Sequence, residues 1–138
     1  MRKLEKQPTA PGGAETFTGD VHIDMLRGPM DGSAIGMAHV HFTPGARTHW
    51  HRHPLGQTLQ GTDGLGLVVT RDGTVTTIGP GETVWTLPGE EHWHGACEDA
   101  FMAHLAIQEA DADGSPVTWL EPVDDAEYAR AHETLRRP

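Results

Sequence analysis

Gly45-Ala46-Arg47-Thr48-His49-Trp50-His51-Arg52-His53-Pro54-Leu55-Gly56-Gln57 is the stretch on which the reading of this chain turns. His51 and His53 stand two residues apart, and the period of a β-strand sends both side chains to one face, where they can chelate one ion; a helix would send them apart. Pro54-Leu55-Gly56 is turn material that can bring the Gln57 amide oxygen back toward the pair. A third imidazole, His92, follows Pro88-Gly89-Glu90-Glu91, again just after a turn. Three neutral nitrogens and one oxygen suit a borderline divalent ion such as Mn, Fe, Co, Ni or Zn better than Ca or Mg, which prefer oxygen shells.

The rest of the chain supplies strands to carry that set. Residues 21–26 and 35–43 alternate apolar and polar side chains, and in the second run Ala38, Val40 and Phe42 fall on the face expected to look inward. His39 and His41 fall on the other, read as a solvated or interface face. Further short runs at 48–53, 57–60, 65–70, 75–78, 83–87, 92–96 and 101–108 are each bounded by Gly, Pro or Asp, and Asp72-Gly73 marks a tight hairpin. Many short strands so spaced predict an all-β barrel or sandwich. Residues 124–135 differ: good helix formers, acidic at the start and with Arg136-Arg137 at the close, predict a short C-terminal helix packed on the barrel. At 138 residues the chain has length for one domain, read as an N-terminal arm (1–16), a barrel (17–120) and a C-terminal helix and tail (121–138).

Composition removes several function classes. Ten Lys and Arg against twenty Asp and Glu give a net charge of −10, which disfavours nucleic acid and anionic membranes as partners. Cys97 is the only cysteine, so neither an intramolecular disulfide nor a thiolate metal site can be drawn, and a small buried residue is its simplest reading. The N-terminus has charges but no apolar run after them, so the expectation is a soluble, cytoplasmic protein. Seven of the ten histidines fall between His39 and His94, the most informative feature of the composition. A barrel this small has an edge to cover, which predicts a homodimer or higher homo-oligomer.

In residues 101–108, Met102, His104, Ala106 and Gln108 share one face. A lone histidine there reads as core unless something else assigns it a role. His94 shares the parity of His92 and is either a hydrogen-bond donor behind the ligands or part of the rim. His49 is left outside the site. Trp50, Trp85, Trp93 and Trp119 are expected as core and interface anchors, with the alternative that one of them lines the pocket for an aromatic substrate.

The order Gly45, His51-x-His53, Gln57, Gly64 resembles the first motif of the cupin superfamily, and Gly81 through Pro88-Gly89 to His92 resembles the second. Pro88 sits one place later than usual, Ala96 stands where Asn is common, and Gln57 replaces the Glu of most cupins. The segments 44–48, 51–59, 88–95 and 104–109 further resemble small bacterial manganese cupins that act as (R)-selective hydroxynitrile lyases, over about residues 17–128. The resemblance implies a double-stranded β-helix, or jelly-roll barrel. It implies one divalent ion, Mn(II), on His51, His53, Gln57 and His92, and proton transfer by His104. It places Ala38, Val40 and Gln108, with Phe42 and His94, around a pocket for a small-molecule substrate. The function so implied is a metal-dependent lyase that cleaves or forms a C–C bond beside a hydroxyl or carbonyl, with a cyanohydrin giving aldehyde and cyanide as the best-matched reaction. The alternatives are a cupin dioxygenase acting on a small aromatic or enol, and a metal- or ligand-binding cupin without turnover. Gln57 bears on the choice by itself: an amide in place of a carboxylate leaves the ion with more positive charge and makes it a stronger Lewis acid.

Overall fold

The computed structural model describes residues 1–136, and the last two positions of the expected tail lie outside the described residues. The elements in chain order are β1 (Ala10–Pro11), β2 (Phe17–Thr18), β3 (Val21–Arg27), β4 (Ile35–Phe42), β5 (Arg47–Thr48), β6 (His51–Arg52), β7 (Gln57–Gly64), β8 (Gly66–Thr70), β9 (Val75–Ile78), β10 (Thr83–Thr86), β11 (His92–Ala96), β12 (Met102–Glu109), β13 (Thr118–Trp119) and α1 (Asp125–Arg136). They form two antiparallel sheets. One runs β1-β3-β4-β12-β7-β10; the other runs β13-β6-β11-β5-β2, with β8 paired to β11 and β9 paired to β8. This is the all-β, cupin-type barrel with a short C-terminal helix that the strand pattern and motifs imply.

Burial follows the period-two alternation where it was legible. On β4, Ala38, Val40 and Phe42 are buried and the residues between them half-buried. Apolar side chains fill two clusters between the sheets, one around Val40, Phe42 and Met102, the other around Leu59, Val68 and Ile78. The outer face of the second sheet carries Trp50, Leu67 and Trp93, and α1 covers it with Tyr128 and Ala131. Asp124 caps α1 by accepting from the Glu127 amide at 2.7 Å, while the Glu127 carboxylate accepts from the Asp124 amide at 3.3 Å, a reciprocal capping box. Among the described residues no helix is long and apolar enough to cross a membrane.

Two expectations change. The single strand expected at 48–53 is two, because the chain changes partners midway: the His49 amide donates to Thr16, and the Trp50 amide donates to Glu121. The run expected to end at residue 60 continues to Gly64 and pairs along β12 with an irregularity opposite Ala103 and His104. The N-terminal arm contributes an edge segment, with β1 paired to β3.

Candidate metal centre

His51 in β6 and His53 just after it turn toward His92, which opens β11 directly opposite His51 in the register of the second sheet. Gln57 opens β7 in the first sheet after the turn at Gly56, whose φ of 79° is left-handed; an added Cβ there would strike Trp85 at 2.3 Å. The turn therefore requires glycine, and it carries the chain from one sheet to the other within the span from His53 to Gln57. Imidazole atoms of His51, His53 and His92 lie within 4.8 Å of one another, and all three rings are buried.

Each ring is oriented by a carbonyl behind it. Nδ1 of His51 lies 2.9 Å from the oxygen of His49, Nδ1 of His53 lies 2.7 Å from that of Pro116, and Nδ1 of His92 lies 3.0 Å from that of Glu90. A carbonyl only accepts, so every Nδ1 carries the proton and donates it, which leaves each Nε2 with a lone pair. Gln57 is fixed in the same sense. Its amide nitrogen donates to Oε1 of Gln108 at 3.1 Å, which turns its own Oε1 to within 3.1 Å of Nε2 of His92. Two acceptors then face each other with no proton between them.

Nε2 of His53 is buried without a partner. Burial depresses the basicity of all three rings, His92 to about 4, and the neighbouring imidazoles add to the effect on His51, so protonation does not relieve the clash of lone pairs at neutral pH. A cation does. At ligand distances of 2.0–2.2 Å, two donors on one ion are separated by about 3.0 Å at a right angle, and the His92–Gln57 pair stands at 3.1 Å. The donor chemistry therefore fits a divalent ion of borderline softness, held by residues whose outward atoms are already engaged.

His94 and His104 stand beside this group. Nε2 of His104 lies 3.0 Å from Nδ1 of His94, so one proton serves both atoms. Their outer nitrogens, Nδ1 of His104 and Nε2 of His94, are buried without partners. Burial is the first cause holding both rings neutral, His104 to about 3. The ring centroids of His94 and His51 are 5.2 Å apart, so the pair adjoins the three-histidine group.

A cavity of about 160 Å³ opens onto these side chains and is walled by Ala38, Val40, Ala106 and Gln108, with His94 and His104 on its lining. Phe42, expected on the same wall, sits behind it: its ring packs at 5.4 Å from His104 and 5.9 Å from His94, inside an apolar cluster. Of the four tryptophans, Trp119 lines the cavity, with its ring 4.7 Å from His51. Trp85 is also exposed, over the Gly56 turn. His49 is buried but turns no atom to the cavity. Phe17, Ile23, Met25, Thr48, Pro116 and Val117 complete the lining; they come from β2, β3, β5 and the segment before β13, and nothing in the sequence marks them as pocket residues. A larger groove of about 330 Å³ between α1 and the second sheet contains no histidine.

Comparison with known proteins agrees with this architecture. The cupin domain profile matches residues 38–107. The chain is 48% identical over 130 residues to an (R)-mandelonitrile lyase of Granulicella tundricola, covering 94% of this chain and 98% of the relative. A cupin-like protein of Thermotoga maritima superposes with a TM-score of 0.83 at 35% identity, covering 95% of this chain and 97% of that one. The polyketide cyclase of Streptomyces resistomycificus shares the fold at 18% identity and a TM-score of 0.65, over 100% of this chain and 94% of that one. A profile match across half the chain, a relative aligned nearly end to end and a barrel that superposes on a solved cupin lead to one statement: the chain belongs to the cupin family.

Proposed function

We propose that this protein is a metal-dependent lyase that splits cyanohydrins into an aldehyde and hydrogen cyanide. The observation that carries the reading is the likeness to an (R)-mandelonitrile lyase over almost the whole of both chains. The shape and chemistry of the cavity support it. A void of about 150 Å³ accepts a benzene ring, and the cavity of about 160 Å³ with its Ala38, Val40 and Ala106 wall suits one aromatic ring or a short branched chain.

His51, His53, Gln57 and His92 are assigned as the ligands and Mn(II) as the ion. When bound, the ion supplies positive charge that acidifies the substrate hydroxyl and polarises the forming carbonyl without changing oxidation state. His104, neutral through burial, presents a lone pair to take the hydroxyl proton. The C–CN bond then breaks with its electron pair leaving on cyanide, the C–O bond becomes a carbonyl, and the proton returns from imidazolium to cyanide. His94 shares a proton with His104 and so sets which His104 nitrogen carries the free lone pair. The apolar wall holds the organic group and excludes water from the aldehyde.

The test is mandelonitrile cleavage by Mn-loaded protein, followed as benzaldehyde release, beside the His104→Ala variant. Release above buffer by the wild type, with loss of at least about 100-fold in His104→Ala at unchanged metal content, is expected for a general base. No release with the metal bound refutes the lyase reading. Oxygen uptake with an aromatic or enol substrate would instead establish the dioxygenase.

A further inference from the structure

We propose that Asp24, His39 and His41 form a second cation site, on the outer face of the first sheet, that takes a borderline divalent ion such as Zn(II), Co(II) or Ni(II). The alternation that turns Ala38 and Val40 of β4 inward turns His39 and His41 outward, and the register of β3 sets Asp24 directly opposite His39. One donor atom from each of the three lies within 4.8 Å of the others. Oδ2 of Asp24 stands 3.6 Å from Nε2 of His41. That is too long for a hydrogen bond, and it is close to the roughly 3.4 Å that separates two donors on a tetrahedral ion with 2.0–2.2 Å bonds.

Two of the three side chains are also held from behind. The other Asp24 oxygen accepts from the Thr9 hydroxyl, contributed by the arm just before β1. His39 is fixed by Thr62, whose hydroxyl lies 2.7 Å from its Nε2. Thr62 is the residue left over where β7 and β12 lose register, so the irregularity supplies the hydroxyl that steadies the ring. All three candidate ligands are half-buried. A cleft of about 280 Å³ between arm residues 4–7 and β3 reaches Asp24 and His39, which gives an ion an entry path and leaves room for water to complete its shell. Two imidazoles and a carboxylate on one face match the donor preference of late first-row divalent ions. Bound there, the ion ties β3 to β4 directly behind Ala38 and Val40, so its occupancy stiffens the wall of the inner cavity.

The experiment is equilibrium dialysis of the intact protein against Zn(II), with bound metal counted by elemental analysis and folding verified by circular dichroism. Wild type is expected to hold two ions per chain. Asp24→Asn, His39→Asn and His41→Asn are each expected to hold one, and so is the His51→Asn/His53→Asn variant, which isolates the outer site from the inner one. A second ion that persists in all three outer variants overturns the proposal, as does a His51→Asn/His53→Asn protein that binds nothing. If wild type holds one ion and the His51→Asn/His53→Asn protein still holds one, the outer site stands and the inner assignment fails.

Discussion

Gln108 makes no bond to the proposed ion, yet the orientation of a ligand depends on it. The Gln57 amide could present either end to His92, and the Gln108 carbonyl selects the oxygen by occupying the nitrogen. Gln108→Ala frees that amide to rotate. Partners of this kind are worth about 10- to 100-fold in metal affinity, so the variant is expected to bind Mn(II) at least about tenfold more weakly in a competition titration, with the fold unchanged. Affinity equal to wild type would show that Gln57 is oriented by something else. The same logic explains why Gln57, and not merely the histidines, shapes the chemistry: a neutral oxygen donor completes the shell without cancelling charge on the ion.

At the scale of elements, the site is set by close strand packing. Gly95 lies in β11 opposite Arg47 of β5, and an added Cβ would meet the Ala46 oxygen at 2.5 Å and the Arg47 Cβ at 2.6 Å. Both contacts involve backbone or the root of a side chain, so neither can swing away. Gly95→Ala is expected to cost about 2 kcal/mol of stability, measured by urea unfolding, and to weaken metal binding through the neighbouring His94 and His92 on the same strand. Wild-type stability in that variant would contradict the packing described for β5 and β11.

Elements also mark where reading the sequence succeeded and where it stopped. His51, His53, Gln57 and His92 were legible because a strand period and two turns fix their directions locally. Trp119 and Pro116 were not: β13 is two residues long, pairs with β6 from far along the chain, and carries no alternation to betray its inward face. The outer cluster was equally hidden, because Asp24 meets His39 only through the register of β3 on β4, and Thr62 reaches His39 only through an irregularity between β7 and β12. Long-range register is what period alone cannot supply.

For the whole molecule, five buried or largely buried imidazoles in one interior make stability depend on pH. Their folded-state basicity is depressed, chiefly by desolvation. The unfolded chain therefore takes up protons near pH 6.5 while the folded chain does so only near pH 4 at His92 and near pH 3 at His104. Throughout that window the unfolded state binds more protons, so stability is complete above pH 6.5 and is lost as pH falls. A shift of the size found at His92 corresponds to about 3 kcal/mol. Metal-free protein is expected to show a denaturant midpoint that is flat from pH 8 to about 7 and falls steadily below about 6.5, and a midpoint that rises on acidification would contradict the neutral interior.

The claim beneath all of this is that three imidazoles and one amide oxygen share a single ion inside the barrel. A crystal structure of the Mn(II)-loaded protein with anomalous data tests it most directly. An anomalous peak is expected within about 2.0–2.3 Å of Nε2 of His51, His53 and His92 and of Oε1 of Gln57. A loaded protein with no peak between those four side chains, or with Gln57 presenting its nitrogen to the ion, would contradict it.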